Sequence, residues 1–369
     1  MSFKKAQVQS GQISGTSHND FPVYVDLSRV GITTLAEAES SRWYMDEDKI
    51  VEIAREVVGA TEGHGKIPTL DSTTELFIDY DSIRSDYAVG ATYGRNAVWG
   101  DYIFVFHFEN NVTNSAGGSG VTGTNNSTTD VVGGPINGRA RQSNNLNRHV
   151  TLTGLAAAIA NENLTFTCWL KMEMATPTIS NNNHPFGVRF NSGNDNHYPF
   201  VNGQAFINTL RRTSRVDSIS LSDSIARNAW HKLTISNQSG TNGWKFYQND
   251  DMRIQVTGDT FSGSDLGDNG AVILNSDSRT SGGSRRMNGD GDEYRLAAFT
   301  QSANWITTEY NNQNDNDAFW GTWEDAGGGG GGTDILGIKL GSTTINKVML
   351  GSTEIKRIYL GATKIFEKL

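Results

Sequence analysis

Residues 164–172 read Leu-Thr-Phe-Thr-Cys-Trp-Leu-Lys-Met, an apolar stretch with the length of one β-strand. More strand candidates lie between residues 98 and 325, and loops rich in Gly, Asn, Ser and Asp separate them. Many short strands with turn residues between them predict a β-sandwich or a β-barrel. The further candidates are residues 102–108, 230–236, 244–247, 271–274 and 293–300.

The composition of the chain agrees with an all-β fold. Its 369 residues include 41 glycines and many Asn, Ser and Thr, which favour turns over helices. No apolar run approaches the roughly 18 residues of a membrane span, so we expect no membrane insertion. Two lysines near the N-terminus precede no apolar run, which argues against a secretory signal.

Charge and cysteine content exclude two further classes. The net charge of −9 argues against non-specific binding to nucleic acid. The single cysteine, Cys168, cannot form an intramolecular disulfide, which excludes a disulfide-stapled domain. A lone cysteine within a strand is typically a small buried apolar residue.

Composition divides the chain into an N-terminal β domain (residues 1–97), a large middle section (98–325), a glycine-rich linker (326–333) and a short tail (334–369). In the first section, Phe21, Val23, Val25 and Leu27 alternate along a predicted strand. Residues 49–58 and 74–80 are further strand candidates there. The glycines among residues 59–65 predict a loop between them.

The tail contains an internal repeat with a period of ten residues. Residues 340–345, 350–355 and 360–365 read LGSTTI, LGSTEI and LGATKI. Each unit has about the length of one hairpin or one solenoid rung and needs neighbours to bury its apolar side. The tail is basic while the remainder is acidic, and we expect it to dock on a partner or to form a homo-oligomer.

The middle section resembles the laminin-G-like, concanavalin-A-like jelly-roll family. Residues 163–171 (NLTFTCWLK) are similar to a core strand of that family, with Trp169 as its core aromatic. Residues 228–235 (NAWHKLTI) and 244–249 (WKFYQN) are similar to a later strand and its turn. Residues 291–299 (GDEYRLAAF) and 305–313 (WITTEYNNQ) are similar to the closing segment.

The flanking sections carry resemblances of their own. Residues 19–27 (NDFPVYVDL), 53–58 (IAREVV) and 91–99 (ATYGRNAVW) resemble a small β domain of unknown function that often precedes such jelly rolls. Residues 42–45 (RWYM) depart from its usual pattern. The repeated tail resembles C-terminal repeats of bacteriophage structural proteins. The combination implies a virion protein assembled in the host cytoplasm, with other virion proteins as partners.

These resemblances imply an all-β protein: a jelly-roll sandwich with a smaller N-terminal β domain and a C-terminal β-repeat module. The leading hypothesis is a tail-associated or fibre-like virion protein that binds host-surface glycans or proteins without catalysis. A capsid decoration or head-fibre protein is the first alternative. A polysaccharide-degrading glycosidase is the second, because related folds host such enzymes.

The glycosidase alternative requires two carboxyl groups about 5–10 Å apart. Asp290 and Asp292 have the i, i+2 spacing that places both side chains on one strand face. However, the sequence lacks the Glu-x-Asp-x-(x)-Glu strand pattern of laminarinase-like enzymes. No catalytic residue is therefore predicted.

Calcium is the metal that the sequence favours. Asn288, Asp290 and Asp292, with nearby backbone carbonyls, offer the hard oxygen ligands that Ca²⁺ prefers, and turn residues without a ligand are the alternative interpretation. The seven histidines include no HxH or HxxxH pair, so no zinc motif is predicted.

The strongest candidate for sugar recognition is the stretch from residue 181 to residue 200. Aromatic rings stack on the apolar faces of sugars, and amides and carboxylates bind their hydroxyl groups. An ordinary hairpin with Asn-rich turns is the alternative interpretation. The predicted ligand-binding residues are Phe186, Asn191, Asn194, Asp195, Asn196 and Tyr198.

Overall fold

Antiparallel strands predominate in the computed structural model. It describes residues 2–81, 83–109, 111–136, 138–144, 148–159, 163–172, 186–190, 196–202, 205–212, 215–224, 226, 228–238, 243–256, 266–273 and 288–326, and six short strands between residues 338 and 367. For the strands between residues 186 and 224, for residues 266–273 and for the six tail strands, the backbone pairing alone is described. Among the described residues, no helix has the length and hydropathy needed to cross a membrane.

The N-terminal section forms two small sheets around one apolar core. Phe21, Val23, Val25 and Leu27 lie in that core together, as their alternation predicts. Its elements are β1 (Ser2–Gln7), β2 (His18–Asp26), α1 (Leu27–Val30), α2 (Leu35–Ser40), β3 (Arg42–Tyr44), β4 (Arg55–Val57), β5 (Glu62–Leu70), β6 (Glu75–Tyr80) and α3 (Arg95–Val98).

The middle section supplies the strands of the large sheets, with two helices after them. Its elements are β7 (Tyr102–Phe106), β8 (Thr122–Asn126), β9 (Thr129–Val132), β10 (Arg139–Asn144), β11 (His149–Thr153), α4 (Leu155–Ala158), β12 (Leu164–Met172), β13 (Phe186–Phe190), β14 (Asn196–Asn202), β15 (Ala205–Arg212), β16 (Arg215–Ser224), β17 (Trp230–Gln238), β18 (Gly243–Gln248), β19 (Asp251–Val256), β20 (Leu266–Ile273), β21 (Asn288–Ala297), α5 (Ala303–Asn314), α6 (Asn316–Trp320) and β22 (Glu324–Asp325).

Two antiparallel sheets of the middle section form a β-sandwich. One has the order β19-β18-β17-β12-β21-β10-β9, with β7 also paired to β21, and the other has the order β16-β15-β14-β13-β20-β11-β8. Phe166 and Cys168 of the first sheet share one apolar core with Val150 and Leu152 of the second. This arrangement confirms the predicted all-β fold with a jelly-roll sandwich. Cys168 is fully buried, as expected for a small apolar residue.

Residues 59–65, predicted as a loop, instead lead into a central strand. Strand β5 pairs with both β2 and β4, and Gly63 and Gly65 lie within it. A Cβ atom on Gly65 would lie 2.6 Å from Cε3 of Trp43, whose ring is fully buried. These glycines therefore permit close packing of a ring on the strand rather than a turn. The strand predicted at residues 49–58 is shorter than expected, because only β4 forms there.

The end of the middle section returns to the N-terminal section. Phe319 and Trp320 of α6 lie in the N-terminal core, and β22 pairs with β1. The sequence assigns these residues to the sandwich, but their apolar side chains complete the other core.

The N-cap of α5 is Ser302, whose side chain accepts a hydrogen bond from the Trp305 amide.

The described strands of the tail form three two-stranded antiparallel hairpins. In the first, Leu340 pairs with Thr343, so two residues separate the strands. This matches the hairpin alternative for the ten-residue repeat. The pairs are β23 (Ile338–Leu340) with β24 (Thr343–Ile345), β25 (Met349–Leu350) with β26 (Thr353–Glu354), and β27 (Arg357–Leu360) with β28 (Thr363–Glu367).

The contact between Gly65 and Trp43 gives a stability prediction. We expect Gly65→Ala to lower the free energy of unfolding by about 1–3 kcal/mol, because a buried indole ring must shift to admit the methyl group. Gly118→Ala is the control, since its added Cβ meets nothing within 4 Å. Urea unfolding of both variants measures the difference. Equal stability of the two variants would contradict the packing role.

Candidate functional site

The outer face of the eight-stranded sheet is polar and nevertheless buried. Along β12, Phe166 and Cys168 face the sandwich core, whereas Thr167 and Trp169 belong to the opposite face. Trp169 is buried as the family resemblance implies, but it stacks on Tyr310 of α5 instead of entering the sandwich core. The N-terminal section and α5 cover this face, and we refer to the covered region as the junction.

Four ionisable side chains meet at the centre of the junction. Glu62 and His64 lie two residues apart on β5 and therefore share a face, His107 follows β7, and Glu293 lies on β21. Each offers one potential ligand atom, and these atoms all lie within 4.8 Å of one another. All four residues are buried. We call this group the His–Glu cluster.

Short contacts connect the members of the cluster. Glu62 Oε1 lies 2.9 Å from His64 Nε2 and 3.4 Å from His107 Nδ1. His107 Nδ1 lies 2.5 Å from Glu293 Oε1. The two imidazole rings stack with their centroids 4.6 Å apart. His64 Nδ1 is buried and has no hydrogen-bond partner in the part of the chain that is described.

Further polar groups surround the cluster and hydrogen-bond to its members. The other nitrogen of His107, Nε2, lies 3.0 Å from Glu56 Oε2. Glu56 also accepts hydrogen bonds from the Ser115 hydroxyl, at 2.6 Å, and from the Trp99 indole, at 2.5 Å. The Arg295 guanidinium donates to the second oxygen of Glu293. The orientations of the His107 ring and of the Glu293 carboxylate are therefore fixed by neighbouring groups.

A β-bulge directs Glu293 toward the cluster. Opposite β12, the pairing shifts between Thr167, which faces Arg295, and Trp169, which faces Asp292. Glu293 has a φ of 51°, a left-handed conformation that is strained for a residue with a side chain. Bulges of this kind re-aim side chains that would otherwise alternate regularly.

Burial and mutual repulsion set the charges in the cluster. Burial and the Glu293 carboxylate raise the pKa of Glu62 well above its usual range. Burial would raise the pKa of Glu293 as well, but Arg295 and His107 outweigh it and hold that pKa well below its usual range. Burial would lower the pKa of His107, but the carboxylates of Glu293 and Glu56 raise it. Burial and nearby His107 lower the pKa of His64.

Besides the His–Glu cluster, the junction contains a second group of buried charges around Glu309 of α5. Its two oxygens accept hydrogen bonds from Lys232 Nζ, at 2.8 Å, and from Arg295 Nη1, at 3.0 Å. Lys232 and Glu309 are both fully buried, and burial lowers the pKa of Lys232 to about 8 despite the adjacent carboxylate. Because β17 carries Lys232 and β21 carries Arg295, this one glutamate fixes α5 to two strands of the sheet.

A polar groove of about 640 Å³ opens at the edge of the sandwich. It lies where β8 ends the seven-stranded sheet and β9 ends the eight-stranded sheet. Asp130 and Arg141 face each other across the pairing of β9 with β10. Asp130 Oδ1 and Arg141 Nε are buried and have no partner among the described residues. The amides lining the groove belong to Asn111, Asn114 and Asn125.

Three of the six predicted sugar-binding residues lie on described strands. Asn191, Asn194 and Asp195 lie outside the described residues. Phe186 begins β13, and Asn196 and Tyr198 belong to β14. These two strands pair as a hairpin, which agrees with the alternative interpretation of this stretch, although their side chains are not described.

The predicted calcium ligands lie within β21 and not in a loop. The Asp290 carboxylate pairs with Lys171 Nζ at 3.0 Å and accepts from Gln142 at 3.1 Å. Asp292 is buried, and one of its oxygens accepts from the Glu293 amide. The side chain of Asn288 is not described. Calcium binding by these residues stays a prediction.

The sequence offered only a weak signal for the His–Glu cluster. Glu62 and His64 have i, i+2 spacing, but the adjacent glycines predict a loop and hide the strand. Glu293 lies 231 positions beyond Glu62, so that pattern searches along the chain do not connect them. The i, i+2 spacing of Glu62 and His64 indicates a shared strand face only when the pairing of β5 is known.

Comparison with known proteins gives partial structural matches alone. No family model matches the sequence, and no curated protein matches it. Domain 4 of AbnA, a GH43 extracellular arabinanase from Geobacillus stearothermophilus solved with arabinotriose, matches with a TM-score of 0.40 and 17% identity, over 57% of this chain and 98% of that domain.

Two toxin binding domains match to a similar extent. The botulinum neurotoxin serotype G binding domain has a TM-score of 0.44 and 14% identity, over 57% of this chain and 50% of that one. The binding domain of Paraclostridial Mosquitocidal Protein 1 has a TM-score of 0.43 and 11% identity, over 57% and 52%. The match thus spans about half the length of these toxin domains. At such scores we draw no functional conclusion from them.

The two partners of Glu309 give an ordered stability prediction. We expect Glu309→Gln to destabilise the fold by about 3–5 kcal/mol, because it leaves two buried cations without this carboxylate. Lys232→Met should destabilise it less, since Glu309 then keeps its pairing with Arg295. Chemical unfolding ranks the variants. The surface variant Lys5→Met, whose pairing with Glu75 is exposed, should change stability by at most about 1 kcal/mol. The reverse order would refute this account of Glu309.

Proposed function

We propose that the protein is a non-catalytic virion protein whose sandwich binds a host-surface saccharide in the edge groove. The groove presents an unpaired acceptor, Asp130 Oδ1, opposite an unpaired donor, Arg141 Nε. This pair of unsatisfied groups is the observation that carries the proposal. A sugar hydroxyl both donates and accepts hydrogen bonds, so saccharide hydroxyl groups supply the kinds of partner that these two atoms lack.

The other groups in the groove agree with saccharide recognition. Asn111 lines it, and an amide binds hydroxyl groups through both its donors and its acceptor. Asn114 and Asn125 also hydrogen-bond the neighbouring backbone, which fixes the shape of the walls. Groups held by their own chain lose little conformational entropy when a ligand binds.

The geometry favours binding over glycoside hydrolysis. Asp130 is the one carboxylate among the residues that line the groove, and it pairs with Arg139. A glycosidase requires two carboxyl groups across the scissile bond. The pair considered from sequence, Asp290 and Asp292, is buried in β21. Among the described residues, these observations support a binding role.

The virion part of the proposal is supported by sequence resemblance. The ten-residue repeats after a glycine run resemble tails of phage structural proteins, and the first two sections resemble a pair of domains that occur together. In this proposal the basic tail docks on other virion proteins or on copies of itself, and the sandwich faces the host. The fibre-like role is the leading form of the proposal, with capsid decoration as its alternative.

The groove is tested with Asp130→Asn. We expect the full-length protein to bind a defined glycan saturably on an array and on host cells. The variant should bind it at least about tenfold more weakly, because hydrogen bonds to a charged acceptor contribute about 1.5–3 kcal/mol. Asp251→Asn, on the exposed strand β19, is the matched control and should bind like the unchanged protein.

The outcomes separate the hypotheses. Glycan binding that survives Asp130→Asn would move the binding site away from the groove, with the stretch at residues 186–198 as the next candidate. A folded protein that binds no glycan would reject the saccharide proposal and favour the capsid decoration role. Release of reducing sugar from a bound polysaccharide would overturn the non-catalytic assignment.

A further inference from the structure

We propose that Glu62, His64, His107 and Glu293 bind a divalent transition-metal ion, with Zn²⁺ as the ion that best fits the donor set. The ion would join the N-terminal section to the sandwich, since each contributes two of the four ligands. This site is separate from the groove and from the calcium ligands predicted by sequence.

The donor types and their spacing suit zinc. Two imidazole nitrogens and two carboxylate oxygens are common zinc ligands at about 2.0–2.2 Å, which places tetrahedral donor atoms about 3.3 Å apart. The contacts in the cluster are 2.9 Å, 3.4 Å and 2.5 Å, and no donor atom lies beyond 4.8 Å from another. Small side-chain shifts would therefore bring the donors to tetrahedral spacing around one ion.

The charge balance of the junction also favours a cation. Glu293 and Glu309 contact Arg295, and Glu309 also contacts Lys232. Glu62 and Glu56 lie instead against the histidines of the cluster. With both histidines neutral, as metal ligands must be, a divalent ion neutralises Glu62 and Glu293. Without the ion and with both histidines neutral, the buried Glu62 carboxylate would contact imidazole groups and no permanent cation among the described residues, which is unfavourable.

The surroundings of the cluster resemble those of a built metal site. Metal-bound histidines usually donate their second N–H to a carboxylate, which fixes the ring. His107 makes this contact to Glu56, and Glu56 is held in turn by Ser115 and Trp99. Arg295 likewise holds the distal oxygen of Glu293. The orphaned His64 Nδ1 shows that the described protein groups do not complete this network by themselves.

All four donors come from the protein and are buried, which indicates a structural and not a catalytic ion. Such an ion would lock the orientation of the N-terminal section on the outer face of the sheet. Its binding would stabilise the folded state, because the four donors are assembled only when both sections are docked.

The test uses the full chain, stripped of metal with a chelator and then titrated with Zn²⁺. We expect one zinc per chain by elemental analysis, a rise in the thermal unfolding midpoint on addition of zinc, and reversal of that rise by EDTA. Co²⁺ in place of Zn²⁺ should show the visible absorption of a four-coordinate site. These readouts do not depend on glycan binding.

Glu62→Gln is the diagnostic variant, because it removes a ligand charge while keeping the shape of the side chain. It should fold in the absence of metal, because the amide has nearly the same volume and its oxygen can still contact His64. Its zinc affinity should fall by more than about 100-fold. Substitution of residues that only hydrogen-bond the metal ligands typically lowers the affinity by about 10–100-fold. Glu75→Gln, an exposed glutamate, is the matched control and should keep full affinity.

His64→Gln provides a second test if the first variant does not fold, and it too should lose zinc binding. The proposal is overturned if the folded, unchanged protein retains no stoichiometric zinc. It is equally overturned if zinc binds with unchanged affinity to a folded Glu62→Gln or His64→Gln variant, because the ion would then lie elsewhere.

Discussion

The arrangement of the two sections depends on a buried layer of charge between them. One face of the eight-stranded sheet packs an ordinary apolar core, while the other carries Lys232, Glu293 and Arg295 beneath the N-terminal section. Charges removed from water must find partners: Lys232 and Arg295 pair with Glu309 of α5, and Glu293 contacts His107 after β7. Glu309 satisfies two cations at once, which fixes α5 over the sheet. The bulge at Glu293 and the glycine-rich strand β5 are local consequences, because both bring donors into this layer.

This layer separates two tasks within one sandwich. The broad outer face holds the N-terminal section through contacts that tolerate little change. The edge, where β8 and β9 end the two sheets, keeps an open groove whose walls are shaped by local hydrogen bonds. If the groove binds a ligand as proposed, substitutions along the edge would alter recognition without disturbing the junction. Loops and edges on a rigid scaffold are where binding specificity commonly varies.

Six strands of the sandwich, β7, β12, β17, β18, β20 and β21, could be predicted from sequence, because they contain short apolar runs between turn residues. The strand at residues 164–172 has the bounds expected from its apolar run, and the strands beginning at residues 230 and 243 differ only at their ends. Residues 59–65 are an exception to this agreement, because the glycines there do not form a turn. Gly63 and Gly65 lie within a strand and leave room for the Trp43 ring. Local patterns cannot distinguish these cases. The His–Glu cluster could not be predicted beyond the i, i+2 spacing of Glu62 and His64, since its other members meet them only through the pairing and packing of distant strands.

The short strand β22 determines how the protein would bear force. It pairs with β1 through two residue pairs, Lys4 with Asp325 and Lys5 with Glu324, and the Ala326 amide adds a bond to the Phe3 carbonyl. The glycine run and the repeated tail follow immediately. Tension applied to the tail would reach β22 first, because the tail follows it directly in the chain. Separation of β22 from β1 breaks two residue pairs, and the load would then pass along the backbone to α6 and α5, which are packed against the N-terminal core and the sheet.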